Sequence, residues 1–289
     1  MKQFMYSLVA LVAVLALAAC GSSGGSNTAG FNDIGEDFAE DMDAAIDDFT
    51  FAGATTPRAS AASVESQALP ACVSVSPNPP ADADGDGMPN QATLTFTNCT
   101  RVGGAGAVWT LNGSRIFSDP DGNSATNTTS GFDMQIVTPG FVFEKRTPGG
   151  TLIKKMTRNG LRSPRLNAGT IRFQHTLTTF VERPTGQPAT NINNLLLVFT
   201  PAAGQVIALN QPLPDGSVNI TGSFSHTRGA TNYSVNVSTP TALQHSAACA
   251  SQRFVAGQLR LVFAGTGPSG NLDITFNACG TAPTLVFTP

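Results

Sequence analysis

The chain has 289 residues and a formal net charge of −3; 41% of it is hydrophobic, 12% is charged, and it holds 29 Gly, 19 Pro and 5 Cys. This composition excludes a collagen repeat, a coiled coil and a highly charged disordered polymer, and leaves one large or two small globular domains. Low charge with abundant Thr, Ser, Asn and Gly is the usage of exported β proteins rather than of helical cytosolic enzymes.

Lys2 precedes an apolar run, Leu8 to Ala19, that closes on Leu17-Ala18-Ala19-Cys20. Twelve residues are too few to cross a hydrocarbon core of about 30 Å, so residues 1–19 read as a signal-peptide core and not as a transmembrane helix. The box resembles a bacterial lipoprotein signal, which implies that Cys20 is lipidated and becomes the first mature residue. Gly21 follows where an Asp would retain the protein in an inner membrane, so the resemblance implies outer-membrane anchoring. An ordinary secretory signal with an incidental cysteine is the alternative.

Residues 20–30, with the run GSSGGSNTAG, read as a flexible tether with a reach of roughly 18 Å. Over 31–50, Phe31, Ile34, Phe38, Met42, Ile46 and Phe49 recur at steps of three or four, with Asp33, Glu36, Asp37, Glu40, Asp41, Asp43, Asp47 and Asp48 filling most other positions. That spacing predicts an acidic amphipathic helix. Anionic lipid would repel it, so its apolar stripe is expected to rest on protein. Residues 51–71, rich in Ala, Ser, Thr and Pro, read as a linker.

From residue 72 to 289 the period is two. Leu94 and Phe96; Phe132, Met134 and Ile136; Ile171, Phe173, His175 and Leu177; Tyr233, Val235 and Val237; Leu259, Leu261 and Phe263; and Leu272, Ile274 and Phe276 each alternate with other, mostly polar residues. Short alternating runs between Gly, Pro, Asn and Asp turns predict antiparallel strands with one face buried. The fold class is all-β: a single domain of about 10–12 strands forming a barrel, a half-barrel or a two-sheet sandwich. Most runs fall short of the 9 to 11 or so residues of a membrane-spanning strand, which argues against a transmembrane barrel.

Apart from Cys20, the cysteines are Cys72, Cys99, Cys249 and Cys279, an even number in an exported chain, so two disulfides are expected. Three connectivities exist, and the short separations favour Cys72–Cys99 and Cys249–Cys279. A zinc site is the rival use, but no C-x-x-C pair occurs.

Charge is uneven. Residues 1–87 carry 12 acidic and 2 basic groups, the remainder 7 acidic and 14 basic. Lys145, Arg146, Lys154, Lys155, Arg158, Arg162, Arg165 and Arg172 are concentrated within 144–172 against Glu144. They are either solvated strand faces or the surface on which the acidic helix docks, with its apolar stripe central and its carboxylates at the rim. Nucleic acid is not expected as a partner, given the net charge and the export signal.

Asp82-Ala83-Asp84-Gly85-Asp86-Gly87-Met88-Pro89-Asn90 places carboxylates at alternate positions before a glycine, a pattern that wraps oxygen ligands around a hard cation. The segment resembles the calcium loops of thrombospondin type 3 and dockerin-like repeats, which implies Asp82, Asp84, Asp86, Met88 and Asn90 as a calcium ligand set. Thr93 stands where an EF-hand has its bidentate Glu, and the loop occurs once rather than in tandem. A polar Asp-Gly turn entering the Leu94 strand is the alternative.

Two enzyme patterns match out of context. Gly21-Ser22-Ser23-Gly24-Gly25 fits a nucleophile elbow but lies in the tether, and Gly265-Thr266-Gly267-Pro268-Ser269-Gly270 fits a dinucleotide loop but joins two strands. His175, His226 and His245 lack metal-site spacing, and His175 sits in the apolar phase of its strand, as a hydrogen-bonded core histidine would. Trp109, the single tryptophan, reads as core. The overall resemblance is to bacterial outer-membrane lipoproteins and implies an address more than an activity; the residues themselves lead to the expectation of a protein that is not an enzyme. The expected role is a scaffold, or a carrier of an apolar or lipid ligand on a curved sheet. In the second case Phe132, Phe141, Phe143 and Phe173 would line the cavity, with Lys154 and Arg158 near a phosphate-bearing head group. A calcium-stabilised adhesion or assembly module is the alternative.

Overall fold

Among the described residues thirteen strands join in one antiparallel sheet, and most of them alternate inward apolar with outward polar side chains. The computed structural model describes residues 30–42, 71–78, 80–81, 83, 90–102, 107–120, 132–133, 135–207, 213–249, 254–266 and 269–289. Residues 1–29, which include the expected signal sequence and nearly all of the expected tether, lie outside them, as do Asp82, Asp84, Asp86 and Met88.

The strands are β1 (Val73–Ser76), β2 (Gln91–Val102), β3 (Val108–Ser118), β4 (Phe132–Asp133), β5 (Gln135–Arg146), β6 (Leu152–Asn167), β7 (Thr170–Glu182), β8 (Ala189–Pro201), β9 (Gly216–Arg228), β10 (Thr231–His245), β11 (Phe254–Gly265), β12 (Gly270–Thr275) and β13 (Thr284–Thr288). Each pairs with its sequence neighbour, except that β3 pairs with β5 and the short β4 with the end of β6. The meander runs from β1 at one edge to β13 at the other, an open sheet rather than two facing ones.

Helix α1 (30–42) lies against the inward face. Its 13 residues span about 20 Å. It nevertheless touches Lys145 on β5 and Phe287 on β13, eight strand positions apart, which a flat sheet with about 4.8 Å between strands would separate by about 38 Å. The sheet therefore curls around the helix, and one apolar cluster contains both. Phe31 stacks on Phe287 with ring centroids 4.1 Å apart, and Phe38 stacks on Phe224 at 4.9 Å. Gly35 permits this closeness, since a Cβ there would stand 2.5 Å from the Leu272 Cδ2.

Two expectations are corrected. Nine strands run 11 to 16 residues, longer than the apolar alternation showed, because inward polar residues and register shifts such as Ser238 to Thr241 break the pattern without ending the strand. Strand length thus gives no ground against a transmembrane barrel. The face pattern supplies another, because the sheet buries its apolar side chains inward and turns Thr, Ser and Asn outward, the inverse of a lipid-facing barrel.

Both favoured disulfides are formed. Cys72 and Cys99 have Cα atoms 5.2 Å apart and fasten β1 to β2, while Cys249 and Cys279, at 5.7 Å, link the segments that follow β10 and β12. The first bridge thereby ties edge strand β1 to its neighbour, and the second joins two connections near the other edge.

Candidate functional site

β6 turns Lys154, Met156, Arg158 and Arg162 toward the inside, so much of the basic segment is buried rather than solvated. Arg146, Lys155, Arg165 and Arg172 remain at the surface. The buried cations meet the carboxylates of α1. Lys154 Nζ lies 2.7 Å from the Asp37 carboxylate, whose other oxygen accepts from Arg183 at 2.7 Å. Glu40 pairs with Lys145 and Lys154, and Asp33 with Arg228 at 3.3 Å. Asp41 accepts from Arg158, from the Thr179 hydroxyl at 3.3 Å and from the Asn193 amide at 3.2 Å.

The helix therefore docks on the basic sheet with Asp33, Glu36 and Glu40 toward the rim, but two of its carboxylates, Asp37 and Asp41, are not there. Asp37 and Asp41 are each 2% exposed and sit as deeply as Phe38. Burial alone would raise the Asp37 carboxyl, yet Lys154 and Arg183 outweigh it and hold the group below its ordinary range. Burial likewise opposes the charge on Lys154, and Glu40 and Asp37 overcome it and raise the ammonium. Both partners stay ionised inside the fold.

Beside this contact runs a band of inward polar groups on neighbouring strands. Arg162 donates through Nε to His175 Nδ1 at 3.1 Å, the two residues being direct partners across β6 and β7. Burial, then Arg162 and Arg158, push His175 well below its ordinary pKa, so the ring is neutral and carries its proton on Nε2. Burial lowers Arg162 to about 10, with Asp41 opposing the shift. His226 Nδ1 lies 2.7 Å from Asn191 Oδ1, and burial followed by Arg228 lowers this histidine to about 4. His245 donates from Nδ1 to the Pro214 carbonyl at 2.9 Å.

Of the residues singled out for a ligand, Phe141, Phe143, Lys154 and Arg158 come together. The Arg158 guanidinium stands 4.2 Å from the Phe143 ring centroid, and Phe141 packs on Phe143 at 4.9 Å. Phe173 is buried farther along the sheet, opposite Pro164 and Leu197, and the side chain of Phe132 is outside the described residues. Trp109 is buried beside Lys145 and Lys154, its ring centroid 5.5 and 6.0 Å from their Nζ atoms. The described side chains among these face the concave interior, and α1 fills the space in front of the basic ones. An open pocket of about 310 Å³ lies elsewhere, between the ends of β8 and β10, lined by Thr200, Asp215, Gln244 and His245 among others.

Sequence reading passed over Arg115, Thr179, Asn191 and Asn193, all buried on the same face. A signal existed in the inward phase of β8, where Asn191 and Asn193 occupy positions that Leu195, Leu197 and Phe199 continue. At the acidic loop, the Ala83 amide donates to Asn90 Oδ1 at 2.7 Å and the Asn90 amide to the Ala81 carbonyl at 2.9 Å, closing its base. Among the described residues no group of three His, Cys, Asp or Glu side chains is arranged to hold a metal.

Comparison with protein-family models, with curated proteins and with solved structures finds no match for this chain.

Proposed function

We propose that the protein is a lipid-anchored, non-enzymatic component of a bacterial outer membrane that binds an apolar or lipid ligand on the concave face of its sheet. In the resting form α1 takes the ligand's place. The observation that carries this reading is the composition of the covered face: buried aromatic and aliphatic side chains lie beside buried Lys154 and Arg158, and an acidic amphipathic helix is what they hold. A surface that selects such a helix has the chemistry to select an acidic amphiphile. Anchoring rests on Cys20, and the tether lets the body stand off the membrane by roughly 18 Å.

Native mass spectrometry of the mature domain beginning at Gly21, without the lipidated Cys20, exported to the periplasm and purified without detergent, tests the reading. A stoichiometric lipid-sized adduct supports a carrier and names its cargo. A clean protein mass leaves α1 as a permanent core element and the protein as a scaffold.

A calcium-stabilised assembly module is the second reading, favoured by the hydrogen bond from the Ala83 amide to the Asn90 side chain, which brings two positions of the 82–90 segment together. Under that reading EDTA lowers the melting temperature and calcium restores it, whereas a carrier without a metal is indifferent to both.

A further inference from the structure

The Asp41 carboxylate sits in a receptor with more donors than it uses. Arg158, Thr179 and Asn193 all converge on it from three adjacent strands, β6, β7 and β8. Arg158 Nε and Nη1, also buried, have no partner, and neither has His175 Nε2, whose residue is 1% exposed. Because His175 Nδ1 accepts from Arg162, Nε2 carries the hydrogen, so each of these unmatched nitrogens is a donor. Buried donors without partners are rare in native folds and mark places where another acceptor belongs. A carboxylate offers two oxygens; a phosphate offers more, with more charge to set against the buried guanidinium.

We infer that this cluster is a head-group site for a phosphate-bearing amphiphile, with Asp41 as its intramolecular stand-in. The apolar chain would replace Phe38 and Met42 against the sheet, and the phosphate would take the donors that hold Asp41. The inference rests on the carrier reading and specifies its ligand. Binding and α1 docking are then mutually exclusive, and Trp109, next to the lysines that hold Asp37 and Glu40, reports which occupant is present.

The mature full chain is titrated with dodecyl phosphate, dodecyl maltoside and inorganic phosphate, each below any micellar concentration, with Trp109 fluorescence and native mass spectrometry as readouts. Dodecyl phosphate is expected to bind at least about ten-fold more tightly than either other probe. In the paired variant Asp41→Leu with Arg158→Met, where neither charge is left unmatched, the preference over the maltoside should disappear. Equal binding of both amphiphiles, or a preference that survives in the paired variant, overturns the head-group site while leaving the carrier reading intact. Inorganic phosphate binding as tightly as dodecyl phosphate makes this a free-anion site and overturns the amphiphile. Binding of none of the three overturns both readings. The comparison on the unaltered chain decides the matter even where the paired variant does not fold.

Discussion

Arg158 on β6 and Asp41 on α1 form an ion pair between side chains 1% and 3% exposed, separated by 117 residues of sequence. Such a pair contributes little relative to apolar residues of the same volume, because desolvating two charges costs about what their attraction returns. Its strength is conditional on both partners being present. That makes it a specific clamp on where the helix ends up rather than a source of stability.

Removing one partner should therefore cost far more than removing both. Arg158→Met leaves Asp41 buried with two neutral donors, and Asp41→Leu leaves a bare guanidinium; each should lower unfolding free energy by about 3–5 kcal/mol. The double variant should recover part of that loss, short of full recovery because Thr179 and Asn193 also lose their acceptor, at about 1–3 kcal/mol for each group left unsatisfied. Urea unfolding of the four proteins measures the coupling. Additive losses would mean that the pair is not formed in solution.

Apolar docking of α1 makes a second prediction. Phe38 and Met42 are 3% and 0% exposed, so Phe38→Asp or Met42→Asp removes a core side chain and inserts an unmatched charge. For a domain of this size a loss of about 3–5 kcal/mol lowers the melting temperature by about 10 °C. Circular dichroism melts check it, and an unchanged melt would show that the helix does not sit in the sheet.

How far the sequence foretold these contacts can be judged from α1 and β6. The step of three or four in Phe31, Ile34, Phe38 and Met42 was legible, and so was the imbalance between an acidic helix and a basic segment. Depth was not. Nothing local distinguishes an outward Asp from Asp37 or Asp41, because their burial depends on cations more than a hundred residues away that fold back across the sheet. Barrel, half-barrel and two-sheet sandwich were all compatible with alternation, since period two fixes which side chains share a face but not whether the outer strands meet. Arg162 illustrates the remaining gap: Gly160, at φ +147° with a Cβ position 2.2 Å from the Thr176 carbonyl, interrupts the inward series between Arg158 and Arg162, so no alternating apolar run marks Arg162 as inward.

The disulfides lead to a third expectation. The Cys72–Cys99 and Cys249–Cys279 bridges span 27 and 30 residues, and loop-closure entropy assigns each about 3.5 kcal/mol. Cys99→Ala with Cys72→Ala should free β1 while leaving the rest of the sheet, so hydrogen exchange should rise in Val73–Ser76 and in the facing half of β2 before it rises elsewhere. Uniformly raised exchange across the sheet would instead mean that β1 and β2 belong to the same cooperative unit as α1.

Acid should loosen the fold well before the carboxylates titrate. His226 binds a proton near 6.5 when unfolded but only at about 4 inside the fold, where burial and Arg228 oppose the charge and Asp37 and Asp33 oppose the shift less strongly. Between those values the unfolded chain holds more protons, so stability rises with pH there: the contribution is complete above about 6.5 and is lost as pH falls toward 4. The shift corresponds to roughly 3 kcal/mol, and His175, depressed by burial and two arginines, acts with the same sign. Asp37, held below its ordinary value, adds a further loss only at lower pH, as its folded form takes up a proton. His226→Gln preserves a donor to Asn191 without a titrating ring, so the variant should show a shallower decline of urea-unfolding free energy between pH 6.5 and pH 4. Identical slopes for variant and parent would assign the acid sensitivity to His175 instead.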